Sequence, residues 1–212
     1  MIHLYAFVEG LRALPCVNGA GGERLEVCSP AGLTAVVGNV HAALPTTAET
    51  AIAHARVVES IGERAQAVLP ARLDRPFPDV EALIDALRGR TAALRSQLVK
   101  VSGCVEVGVQ VAQARTPSIA ADGGSGSYLR RLAAENAARA AVAEELQRAL
   151  DVCAVDCRVD SRSDGTFRAA YLVRREDVDR LGRRVDDFAA RRPELAVVCT
   201  GPWAPYSFAE AA

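Results

Sequence analysis

Cys153 and Cys157 have the spacing C-x-x-x-C, and thiolates at short spacing can bind a metal or exchange disulfides. The segment around them, VCAVDCRVD, has the composition and alternation of a β-strand. Four residues of strand separate the two Cα atoms by about 13 Å, well beyond the reach of a disulfide or of one metal ion. We therefore predict neither a metal site nor a redox pair, and expect the six cysteines to be buried free thiols.

The other candidates for chemistry are histidines, one glutamate and two glycine-rich segments. The chain has three histidines: His3, His41 and His54. They show no HxH or HExxH spacing and no GxSxG accompanies them, and His54, within a predicted helix near its apolar stripe, is expected to be structural. Glu106 could be a lone catalytic acid, but a charge on the outer face of a strand is the commoner case.

The glycine-rich segments do not favour a phosphate site. GAGG (19–22) has no predicted helix after it, and ADGGSGS (121–127) lacks the Lys-Ser/Thr pair that holds phosphate. We predict no catalytic residue, no cofactor and no metal, and therefore a protein that is not an enzyme.

The charge balance and the hydropathy of the chain indicate which classes of partner and which cellular compartment to expect. The chain of 212 residues has 25 Lys and Arg against 26 Asp and Glu, a formal net charge of −1. This balance gives no field that would attract nucleic acid or anionic lipid. The start, MIHLYAFVEG, has no basic n-region, and the longest uncharged apolar run, 31–44, is shorter than the ~20 residues that span a bilayer. We expect a cytoplasmic protein.

The first half predicts an α+β arrangement. Thr46 to Glu49 have the form of a capping box that begins a helix, and apolar residues from Val80 to Leu98 fall on one helical stripe. The predicted elements are strands over 2–8, 25–28 and 33–40, a helix over 48–67, an extended segment over 68–73 and one continuous helix over 78–98.

The second half predicts the order βαββαβ of the ferredoxin-like fold. Its elements are a strand over 102–111, a loop over 115–127, a helix over 127–150, strands over 152–160 and 166–173 joined by a turn at 163–165, a helix from 177 that ends near Pro193, and a strand over 194–200. We therefore predict two α+β domains, with residues 1–100 forming a modified ferredoxin-like domain and residues 101–212 a ferredoxin-like domain with a long helix and an aromatic tail.

The tail reads TGPWAPYSF (200–208) and contains the only Trp of the chain. Pro202 and Pro205 have no N–H and favour extended geometry in their predecessors, so we expect a stiff, non-helical arm. Its rings could pack over the protein's own sheet or could bind a partner. The candidate partner-binding residues are Pro202, Trp203, Pro205, Tyr206 and Phe208.

The segment GPWAPYSF (201–208) resembles the C-terminal signature GPWPPYSF of the gas vesicle accessory proteins GvpF and GvpL, with Ala204 in place of a proline. AIAHARVVESI (51–61) is similar to a His-containing helix of that family, and VEVGVQV (105–111) to its VEWGVKV strand. AVLPARLDRPF (67–77) is similar to its VLPLRFGTVF segment. Residues 73–76 depart from that pattern, so the resemblance does not assign a function to this loop.

The resemblance implies a two-domain protein with ferredoxin-like elements and without catalysis. It implies a minor component of gas vesicles that binds the hydrophobic shell protein GvpA, or other accessory proteins, and helps to nucleate or chaperone the shell. An alternative, since ferredoxin-like pairs often sense ligands, is a regulatory module that binds a small molecule.

Overall fold

The computed structural model describes residues 1–113, 125–161 and 166–209, and the chain divides into two compact units. The first unit contains Met1–Glu106 together with Trp203–Ala212, and the second contains Val107–Pro202. The sequence prediction instead assigns residues 101–212, with the whole aromatic tail, to one domain. The boundary at residues 100 and 101 stays a prediction.

The first unit contains a four-stranded antiparallel sheet. Its strands are β1 (Ile2–Glu9), β2 (Leu25–Cys28), β3 (Thr34–Asn39) and β4 (Ala67–Pro70), in the order β2-β3-β1-β4. Seven consecutive residues of β1 are buried, as expected for a central apolar strand that is covered on both faces. The strand order is the 4-1-3-2 order of the βαββαβ fold. The modification is that residues 10–24 connect β1 to β2 without a helix.

Three helices accompany this sheet: α1 (Ala48–Gly62), α2 (Val80–Ala86) and α3 (Thr91–Val101). The N-cap of α1 is Thr47, whose Oγ1 accepts from the Thr50 amide at 3.2 Å. α1 ends before the predicted residue 67, because Ala67 already pairs with Glu9 in the sheet.

The prediction of one continuous helix over 78–98 is wrong. Gly89 has a φ of +77°, a left-handed conformation that ends a helix and that glycine adopts without strain. The leucines of the apolar stripe nevertheless face the interior on both sides of the break, since Leu83, Leu87, Leu94 and Leu98 are all buried. Val80 and Ile84 of the same stripe are exposed.

The second unit has the predicted order βαββαβ. Its elements are β5 (Cys104–Gln113, which begins in the first unit), α4 (Ser125–Leu150), β6 (Ala154–Ser161), β7 (Phe167–Arg174), α5 (Val178–Arg191) and β8 (Leu195–Trp203, which ends in the first unit). The sheet order β6-β7-β5-β8 is again 4-1-3-2 within the unit. Residues 115–124 of the predicted loop over 115–127 lie outside the described residues. The predicted turn at 163–165 also lies outside them.

The core of the second unit lies between one face of this sheet and both helices. Val107, Val109 and Val111 of β5 face it, as their alternation predicts. The helices contribute Leu146, Leu150, Leu181, Val185 and Phe188. Among the helices that the structure describes, none has both the length and the apolar composition needed to cross a bilayer.

Candidate functional site

The aromatic tail is extended only in its first part. β8 continues through Gly201 and Pro202 to Trp203, three residues beyond the predicted end of the strand. Tyr206–Phe208 then form a 3-10 turn, in which the Phe208 amide donates to the Pro205 carbonyl at 3.1 Å. The prediction of an arm that is extended throughout is wrong here, because residues 206–208 include no proline and keep their backbone donors. We call residues 203–209 the C-terminal arm.

One set of arm residues is part of the interior of the first unit. Ala204, Pro205 and Phe208 are buried, and Phe208 is only 3% exposed. Ala204 belongs to the core cluster that contains Tyr5 of β1 and Val58 of α1. Pro205 and Phe208, both predicted to bind a partner, are therefore not accessible while the arm stays in place.

Glu106 fixes the arm by two hydrogen bonds. Its carboxylate accepts from the Ser207 amide at 2.7 Å and from the Ser207 hydroxyl at 2.8 Å. The amides of the first turn of a helix have no partner within the helix, so a carboxylate is a favourable acceptor there. Glu106 therefore holds the backbone of the arm.

The other arm residues face solvent. Trp203 is 47% exposed and Tyr206 is 41% exposed. Partial burial, with the nearby carboxylates of Glu59 and Glu106, raises the pKa of Tyr206, so its hydroxyl stays protonated at neutral pH and can donate a hydrogen bond. Pro202 is also exposed, on β8. Of the five predicted residues, the structure thus leaves three at the surface.

A second group of polar side chains is buried in the first unit. His3 Nε2 lies 2.9 Å from His54 Nδ1, and His54 Nε2 lies 3.1 Å from the Ala71 carbonyl oxygen. A carbonyl only accepts, so His54 carries its proton on Nε2 and its neutral Nδ1 must accept from His3. The ring of Tyr5 stacks on His54 at 5.1 Å, and the Tyr5 hydroxyl donates to Glu23.

Burial keeps both imidazoles neutral. Burial lowers the pKa of His3 to about 4; the neighbouring His54 acts in the same direction and Glu23 acts against it. Burial also lowers the pKa of His54, although the hydrogen bond to Ala71 acts against this shift. Both rings are almost wholly inaccessible. His54 is thus the satisfied structural histidine that its position predicts. Its bond to His3 spans 51 residues and had no sequence signal.

All six cysteines are free. Cys104 and Cys153 are buried, Cys28 and Cys157 are half-buried, and Cys16 and Cys199 are exposed. The expectation of six buried thiols is therefore wrong for the two exposed ones and only partly met by the two half-buried ones. Cys199 lies on β8, an edge strand of its sheet, on the same alternating face as Leu195 and Val197. Burial raises the pKa of Cys157 to about 11, which disfavours its thiolate. Within residues 1–113, 125–161 and 166–209, no three His, Cys, Asp or Glu side chains are grouped as metal ligands.

Comparison with known proteins gives consistent matches along the chain. The family model "Gas vesicle synthesis protein GvpL/GvpF" matches residues 1–210. Gas vesicle protein F2 of Halobacterium salinarum is 29% identical over 219 aligned residues, covering 99% of this chain and 92% of the relative. Gas vesicle protein L2 of the same organism is 29% identical and covers 74% of this chain and 70% of the relative.

Solved structures show the same fold at lower identity. The crystal structure of the gas vesicle protein GvpF from Anabaena sp. PCC7120 superposes with a TM-score of 0.86 at 16% identity, covering 99% of this chain and 95% of that one. GvpF from Microcystis aeruginosa gives a TM-score of 0.81 at 17% identity, covering 99% and 98%. These matches establish the mixed α+β fold with its two four-stranded antiparallel sheets.

Proposed function

Because the chain belongs to the gas vesicle GvpL/GvpF family, we propose that it is a non-enzymatic accessory protein that binds the hydrophobic shell protein GvpA and helps to nucleate or chaperone the shell. It acts in the cytoplasm, in association with gas vesicles. Other gas vesicle accessory proteins are further partners. Neither nucleic acid nor membrane is part of this function.

The physical need for such a partner follows from the shell itself. A subunit whose surface will face gas exposes apolar area, and an exposed apolar patch of that kind aggregates in water. A protein that covers the patch until the subunit joins a growing shell removes this hazard. Its contact surface must then present apolar side chains to water without itself aggregating.

The observation that supports the proposal is the exposure of Trp203 and Tyr206 on an arm whose other residues are anchored. Trp and Tyr are enriched among the residues that dominate binding energy at protein interfaces. The buried Phe208 and the two hydrogen bonds that Ser207 donates to Glu106 hold the arm before any partner arrives. Less conformational entropy is therefore lost on binding than for a free aromatic tail.

The test is the variant Trp203→Ala, with Val99→Ala as the matched control. Val99 is 70% exposed on α3, so its truncation removes exposed apolar area outside the arm. We expect Trp203→Ala to lower the free energy of unfolding by less than about 1 kcal/mol, because the ring is half exposed. We also expect it to raise the dissociation constant for GvpA by tenfold or more, which corresponds to a loss of ~1.4 kcal/mol per tenfold and would be seen as weaker co-elution. Val99→Ala should leave both unchanged.

Two results would count against the proposal. If Trp203→Ala binds GvpA as well as the wild type, the arm is not the contact. If it instead loses about 3 kcal/mol or more of stability, as a buried Trp would, Trp203 is part of the core rather than a binding residue.

A further inference from the structure

A cavity of about 460 Å³ lies in the first unit, beside β1 and α2. Its apolar wall is formed by β1, by α2 with the residue that caps its C-terminus, and by the end of the loop that follows β4: Leu4, Phe7, Leu83, Leu87 and Phe77. The volume lies within the range of cavities that enclose small molecules. Nothing in the proposed function uses this cavity.

Arginines line part of the same cavity. Four charged residues contribute to the lining: Arg72, Asp74, Arg75 and Arg90. Three are positive and one is negative. The negative one is already paired, since Arg72 donates to both carboxylate oxygens of Asp74, at 3.0 and 2.8 Å. The cavity therefore combines an apolar wall with three arginines and one carboxylate, which pairs mainly with Arg72 and also lies near Arg75.

Both ends of the loop over residues 71–77 are held by hydrogen bonds. The Ala71 amide donates to the Tyr5 carbonyl at 2.8 Å, and its own carbonyl accepts from the buried His54. At the other end, Phe77 and Ile2 exchange two backbone hydrogen bonds, at 2.7 and 2.9 Å. Both ends of the loop are therefore held before any ligand binds.

We propose that this cavity binds an amphipathic carboxylate, an acid with a linear apolar chain such as a fatty acid. The chain would pack against Leu83, Leu87 and Phe7, and the carboxylate would meet the guanidinium of Arg75. A guanidinium presents its N–H groups as a planar fork that matches the two oxygens of a carboxylate. An apolar wall with a few polar groups that fix orientation is the usual composition of such sites.

The experiment is titration calorimetry of the full chain with decanoate below its micelle concentration, compared with decanol and with acetate. Decanoate should bind saturably. Decanol should bind at least about tenfold more weakly, because its neutral hydroxyl cannot replace the two charged oxygens that pair with a guanidinium. Acetate should give no measurable binding, because it lacks the apolar chain.

Three variants locate the site. Arg75→Gln should weaken decanoate binding about tenfold, because a neutral amide lacks the positive charge and the planar pair of donors that match a carboxylate. Ala86 is exposed and lines the cavity, so Ala86→Trp should fill the space and abolish binding without disturbing the core. Ala93→Trp, at an exposed position of α3 outside the lining, is the matched control and should bind like the wild type.

The proposal is overturned if decanoate gives no saturable heat or if decanol binds as tightly as decanoate. It is equally overturned if acetate binds with the same affinity as decanoate. It is also overturned if Ala86→Trp, shown to be folded by circular dichroism, binds decanoate as the wild type does. None of these measurements involves GvpA, so failure here leaves the proposed shell-binding function untouched.

Discussion

Acidification is expected to destabilise the first unit through its buried histidine pair. His3 and His54 are joined by a hydrogen bond in which His3 donates, and both are neutral in the folded chain. In the unfolded chain each would have the ordinary pKa of about 6.5. Between the two pKa values the unfolded state binds more protons than the folded state, so stability falls as the pH falls.

The magnitude follows from the pKa of His3, which burial lowers to about 4. Below pH 6.5, each further pH unit removes about 1.4 kcal/mol until the folded-state pKa is reached. Lowering the pH from 7 to 5 should therefore remove about 2 kcal/mol of unfolding free energy through His3. The lowered pKa of His54 acts in the same direction. Above pH 7 the pair should contribute no pH dependence.

Urea denaturation at pH 7 and pH 5, followed by tryptophan fluorescence, measures this loss. Trp203 is the only tryptophan of the chain and belongs to the first unit, so its emission reports the unfolding of that unit. The test variant is His3→Gln, whose side-chain amide can still donate near the position of Nε2 but does not titrate. The control is His41→Gln, which removes an exposed histidine.

We expect the pH-dependent loss to be about 2 kcal/mol smaller in His3→Gln than in the wild type, and unchanged in His41→Gln. A wild type that is as stable at pH 5 as at pH 7 would refute the reasoning. So would a His3→Gln variant with the full wild-type loss, because the titrating groups would then lie elsewhere.

Two further substitutions test the arm and the helix break. Glu106→Ala should lower the unfolding free energy by about 1 kcal/mol, because two hydrogen bonds at the surface are lost. It should also increase acrylamide quenching of Trp203. Unchanged quenching would show that Glu106 does not hold the arm. Gly89→Ala should cost roughly 1–2 kcal/mol, read from urea midpoints, because φ is +77° and a Cβ there meets open space, so that backbone strain is the whole effect. A stabilised Gly89→Ala variant would mean that α2 and α3 can join into one helix.

The sequence predicts the elements of the second unit well, because its strands and helices have distinct apolar periods. β5 alternates valine with other residues, and α5 has Leu181, Val185 and Phe188 on one side. The break at Gly89 was missed because the apolar stripe stays in phase across it. The glycine itself, between Arg88 and Arg90, was the available signal for a helix end.

The contacts that build the candidate site were beyond sequence reasoning. Glu106 and Ser207 are 101 residues apart, and nothing in the local pattern of either residue indicates the other. The aromatic composition of the tail could be seen, but not which rings are buried. That division depends on where the chain turns after Pro205, and the 3-10 turn there places Phe208 inside and Tyr206 outside.

This division within the arm bears on how one short segment can serve both stability and binding. Ala204, Pro205 and Phe208 are buried within the first unit. Trp203, which precedes Ala204, and Tyr206, which follows Pro205, face water. An exposed ring on a flexible tail would lose its freedom on binding, but a ring on an anchored backbone has already lost most of it. Substitutions at Phe208 should therefore affect folding first, and those at Trp203 should affect binding first. The residue that anchors the arm, Phe208, and the residue proposed to bind, Trp203, are only five positions apart in the sequence.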